Sequence, residues 1–150
     1  MELPEWRPRK NHEQYLQSAV ELTRVLVENR HSFVESHYRE LLKICLWKYT
    51  EAEGPSKHKT RYRSQGAIEN PSAKLNHDHV VTRKQIIDSI IAEPKNFVTH
   101  LLTAVGCTVL ASEHATLNQI GRDFPALSGW ARYEQAGIQV WDLRDKVRVV

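Results

Sequence analysis

The chain has 150 residues, of which 41% are hydrophobic and 26% charged, with a formal net charge of +3. That length and apolar content suffice for one compact core with an appended arm, held without metal or disulfide staples. The two cysteines, Cys45 and Cys107, form no CxxC, which excludes a zinc site built on paired cysteines, and their apolar surroundings suit small core residues in a reducing compartment. The opening MELPEWRPRK lacks the apolar stretch of a signal peptide, and no run of about 18 apolar residues occurs. A cytoplasmic protein with no membrane span is the expectation.

Residues 1–10, with two prolines and mixed charges, read as an extended arm. Asn11 and Gln14 have the spacing of a capping pair, and Leu16, Ala19, Val20, Thr23, Leu26 and Val27 follow on one helical face. Phe33, Val34, Tyr38, Leu41, Leu42 and Cys45 continue the pattern beyond the polar ENRH. This predicts one long helix to about Tyr49, or two joined near Arg30, serving as a packing arm or as a surface for a homodimer or protein partner.

Residues 50–74 hold two glycines, two prolines and a basic cluster, Lys57, Lys59, Arg61 and Arg63, interleaved with His58 and Tyr62. They predict a long loop with a short helix or strand near Tyr62. The cluster is a candidate nucleic-acid contact, set against the plainer reading of a solvated loop.

The segment LNHDHVV, 75–81, predicts a strand, and Thr82 with Gln85 supplies a capping box for the helix RKQIIDSIIAE. Pro94 suits the start of a second helix running to about Val105, stopped by Gly106. CTVLAS predicts a buried strand, and Ser112 is placed to cap the helix EHATLNQIG. Near the C-terminus, SGWARYEQAG predicts a short helix between Ser128 and Gly137, and IQVWDL a final strand.

Asp78 and His79 at a strand end, with His114 in the first turn of a later helix, form a candidate metal pocket. A carboxylate oxygen and an imidazole suit a hard or borderline divalent cation. The remaining histidine then serves as a base on water, because imidazole titrates near neutrality. His77 shares a strand face with His79, so a His77/His79/His114 zinc site with Asp78 facing away is the alternative.

HDHVVTRK, then GCTVLASEHATL, then GWARYEQAGIQVW together resemble the HNH, or ββα-metal, nuclease superfamily, and in particular a group of small HNH-like bacterial proteins. The resemblance spans roughly residues 75–143 and leaves out the N-terminal helix. Together with the long N-terminal helical segment (1–49) and the basic loop (50–74) read above, it implies an α+β fold ending in an HNH-like ββα-metal domain with flanking helices (75–150). It also implies that His79 is the general base and that Asp78 and His114 hold one cation, magnesium or manganese in preference to zinc. Arg83 or Lys84 would clamp a phosphate oxygen. The implied activity is phosphodiester hydrolysis, of DNA in preference to RNA.

The sequence departs from that pattern at Thr82, where proline is expected, and in the middle position, where Asn96, Asn118 and His100 are the candidates. The alternative is a non-catalytic nucleic-acid-binding or protein-binding regulator on the same scaffold. Glu113 most simply favours the helix N-terminus, and Trp130, Tyr133 and Trp141 read as core.

Overall fold

The polar interruption after Val27 breaks the N-terminal helical pattern in two. The computed structural model describes all residues, Met1–Val150, and places α1 at His12–Glu28 and α2 at Glu35–Glu51, with a 3-10 turn at Arg30–Ser32 between them. The Asn29 amide donates to the Val25 carbonyl at 2.7 Å and closes α1. Asn11 precedes α1 in a left-handed conformation (φ 62) with no side-chain cap, so the expected Asn11–Gln14 pair does not form.

Chain order then gives β1 (Tyr62–Ser64), α3 (Gln65–Glu69), β2 (Leu75–His79), α4 (Arg83–Ala92), a 3-10 turn at Pro94–Asn96 and α5 (Phe97–Leu101). After these come β3 (Gly106–Leu110), α6 (Ala111–Asp123), α7 (Ala131–Ala136), β4 (Val140–Asp142) and β5 (Val147–Arg148). The Thr82–Gln85 capping box forms as expected. Gly106 opens β3 rather than stopping a helix, and α5 ends at Leu101. Helix α6 begins two residues before Glu113, so Ser112 lies in its first turn. There the Glu113 carboxylate accepts the Leu110 N–H at 2.8 Å.

Five strands form one mixed sheet in the order β2-β3-β1-β4-β5. Strands β1 and β3 are parallel and all other neighbours antiparallel. Pairing β2 with β3 sets Asp78 opposite Cys107 and His79 opposite Gly106. Strand β3 runs directly into α6, so the chain order over 75–123 is strand, helices, antiparallel strand, helix.

Two cores result from where the apolar faces meet. Leu26, Tyr38, Leu42, Cys45 and Leu46 of the helix pair pack with Ile86, Ile87, Ile90, Phe97 and Leu101 of α4 and α5. The N-terminal helices are thus a packing element of the fold. Cys107, Val109 and Val140 of the sheet pack with Leu117 of α6 and Tyr133 of α7. Cys45 and Cys107 are both buried free thiols. No helix is long and apolar enough to cross a membrane.

Candidate functional site

Side chains alternate across a strand, so β2 sends Asn76 and Asp78 to one face of the sheet and His77 and His79 to the other. On the first face, Asp78 is 5% exposed. Its Oδ2 accepts from Arg132 Nη2 at 2.7 Å and from the Tyr133 hydroxyl at 2.6 Å. The same Arg132 nitrogen donates to the carbonyls of His79 and Val80. The other oxygen, Oδ1, lies 3.7 Å from His114 Nε2. His114 Nδ1 faces the amide nitrogens of Asn76, at 3.1 Å, and Asn118, at 3.4 Å. Amide donors make Nδ1 the acceptor and leave the N–H on Nε2, directed at Asp78. Burial, then the Cys107 and Asp78 neighbours, push the Tyr133 phenol far above its ordinary pKa, so it remains a donor.

On the second face, His79 Nε2 lies 3.3 Å from Thr50 Oγ1. That hydroxyl donates to the Leu46 carbonyl at 2.7 Å, and so accepts the imidazole N–H. His77 Nδ1 lies 3.0 Å from the Lys57 carbonyl, which only accepts, so the proton is on Nδ1 and His77 Nε2 holds a lone pair. This Nε2 is buried without a hydrogen-bond partner. Burial, reinforced by His77, Arg83 and Arg132, holds His79 down to about 3. Burial also lowers His77, against the opposing hydrogen bond to Lys57. Both imidazoles are neutral at pH 7, and the half-buried Trp47 ring packs against both: its centre is 5.0 Å from that of His77 and 5.1 Å from that of His79.

Cations surround this second face. The Lys57 ammonium and Arg83 guanidinium lie 5.7 Å and 5.9 Å from the Trp47 ring centre. Cross-strand pairing puts His77, Thr108, Arg63 and Trp141 in one row. Arg63 is thus two strands from His77, roughly 10 Å at ordinary strand spacing. Its only side-chain bond is to the Thr60 carbonyl, and burial lowers its pKa. Lys57, Lys59, Arg63 and Arg83 pair with no carboxylate, whereas Arg61 is bound to Asp142 and Asp145 and Lys84 to Asp88.

Of the residues read from sequence, Asp78 and His114 come together, and His77, His79, Lys57, Arg63 and Arg83 share the opposite face. His100 sits on α5 with Nε2 3.7 Å from Glu93 Oε2, and Asn96 also turns to Glu93. Of the middle-position candidates, only Asn118 reaches His114. Three residues escaped the sequence reading: Arg132, which holds Asp78, and Trp47 and Thr50, which contact the histidines; Tyr133, read as core, is core and also donates to Asp78. The one local signal was an arginine beside a tyrosine on a helix whose neighbours are apolar.

The donor set does not fit a resident divalent cation. No three His, Cys, Asp or Glu side chains group as metal ligands. One Asp78 oxygen is saturated and its charge is matched by Arg132, while the expected base, His79, lies across the strand. A cation would meet a single carboxylate oxygen in a pocket already balanced in charge. Comparison with known protein families, characterised proteins and solved structures gave no match to this chain. Fold and site together define an α+β protein with a neutral histidine pair set in a basic face.

Proposed function

We propose that the protein binds nucleic acid, with Lys57, Arg63 and Arg83 contacting phosphates around the Trp47–His77–His79 face and Lys59, two residues along the chain from Lys57, adding to them. The observation that carries this reading is that these four cations lack carboxylate partners, while the histidines among them are neutral and compete for no anion. A cation without an internal partner is free to replace the counterions of a phosphate backbone. The deeply buried Asp78 serves the fold, and a base held near pH 3 is a weak proton acceptor at neutrality. Binding without turnover is therefore the better-supported activity.

The test is fluorescence anisotropy with labelled single-stranded and double-stranded DNA and RNA at about 50 mM salt, where phosphate contacts are strongest. Binding that Lys57→Glu and Arg83→Glu each weaken is the expected result. If none of the four nucleic acids binds, the reading is wrong.

A second reading, phosphodiester cleavage, is favoured by one observation: the β2–β3–α6 order with Asp78 and His114 approaching to 3.7 Å. Its assay is cleavage of supercoiled and linear DNA with Mg²⁺ or Mn²⁺. Activity lost in both His79→Ala and His114→Ala supports it, and intact DNA with every cation rejects it.

A further inference from the structure

Helices α1 and α2 carry a second apolar stripe besides the one they bury against α4 and α5. It runs through Tyr15, Leu22 and Val25 on α1, and through Val34, at the N-cap of α2, then Leu41 and Ile44. Both helices show the same spacing of seven residues and then three. That spacing is the heptad seam of a coiled coil, which keeps one side of a helix turned to a neighbour. No neighbour covers it here: Leu22 and Ile44 are about half exposed, and Val25 and Val34 are 58% and 62% exposed.

Leu22, Val25, Leu41 and Ile44 wall a groove between the two helices, with Leu26 and Cys45 buried at its floor. Its polar lining is Asn29 and Ser32 alone, and no charged side chain faces it. Single exposed apolar side chains are ordinary, whereas a continuous groove of them marks an interaction surface.

Without a charge to select an acidic, basic or phosphorylated partner, the groove suits an apolar helix face of matching period, and this chain carries such a face itself. The two helices have 17 residues each, so each is about 25 Å long and about 10 Å wide. Side by side they present roughly 500 Å², of which a lone helix would cover about half. A second copy would cover all of it, burying roughly 1,000 Å² in total, the size at which an interface becomes specific. We propose that this face pairs two copies of the chain about a two-fold axis. In the pair, α1 and α2 of both copies form a four-helix bundle, and Leu22 and Val25 of each copy enter the groove of the other. No residue of this seam belongs to the basic face, so the pairing is independent of nucleic-acid binding.

The experiment is sedimentation equilibrium of the full chain over a range of micromolar concentrations. Wild-type protein should show the mass of two 17.4 kDa chains, falling toward one on dilution. Val25→Glu and Ile44→Lys each put a charge into the groove wall at an exposed site. Both should give a single-chain mass with an unchanged far-UV circular dichroism spectrum. Glu134→Lys, on the exposed surface of α7, should keep the two-chain mass. A single-chain mass for wild type throughout that range overturns the pairing and leaves the groove to a helix of another protein. A two-chain mass kept by either folded groove variant overturns it too, because the contact then lies elsewhere. So does an assembly that grows beyond two, since a two-fold contact closes on itself.

Discussion

At Asp78 a single carboxylate oxygen takes a guanidinium and a phenol hydroxyl, and the guanidinium is itself only 2% exposed. Removing one partner of such a buried pair strands the other charge away from water. Arg132→Met should therefore cost about 3–5 kcal/mol, read as a fall in urea stability. Adding Asp78→Leu should recover part of that loss, because the stranded charge disappears, while the His79 and Val80 carbonyls still lack their donor. Equal stability of wild type and Arg132→Met would show that Asp78 is not held by this pair.

His79 gives a second expectation at the same scale. Its folded pKa of about 3 lies below the 6.5 of an exposed imidazole. As pH falls below 6.5 the unfolded chain takes up a proton that the folded chain refuses until about 3. The unfolded state binds more protons throughout that window, so this contribution to stability is complete above pH 6.5 and is lost as pH falls toward 3. His77 shifts in the same direction. Urea midpoints measured from about pH 7 down to about pH 4 should fall less steeply in His79→Gln, which keeps an N–H for Thr50 but does not titrate. The same slope in both proteins would contradict the assignment.

Among the elements, β3 depends on a missing side chain. A Cβ on Gly106 would stand 2.3 Å from Cε1 and 2.5 Å from Nε2 of His77. Gly106→Ala should cost about 1–3 kcal/mol, as overpacking does. In a His77→Ala background the same change should cost much less, so a double-mutant cycle by urea unfolding measures the contact. Local chemistry of this scale was what the sequence displayed best. Thr82 and Gln85 meet because a capping box needs residues only three apart. Strand period alone puts His77 and His79 on one face and parts Asp78 from His79. The short strand Val147–Arg148 and the extents of α5 and α6 went unread, because pairing and helix length there are settled by packing against distant segments. The same holds for Arg132 and Trp47, whose partners lie on β2, 54 and 30 or more residues away.

For the whole molecule, a net charge of +3 is too small to draw nucleic acid by itself, so binding must come from how the cations are arranged. Each phosphate neutralised contributes about 0.9 to the log–log salt slope on duplex DNA and about 0.7 on a single strand. The four cations assigned to phosphates thus predict a slope near −3 on a single strand, by the same rule. Lys57→Gln and Arg83→Gln should each flatten it by about one contact. Lys84→Gln should leave it unchanged, since that ammonium is already spent on Asp88 at 2.8 Å. Arg61→Gln should lower stability rather than change the slope, because it strips the buried Asp142 of its guanidinium. Anisotropy titrations over a salt series separate these cases. A slope common to all four variants and wild type would place the contact elsewhere, whereas a slope that follows only the unpaired cations ties binding to the face that carries the histidines.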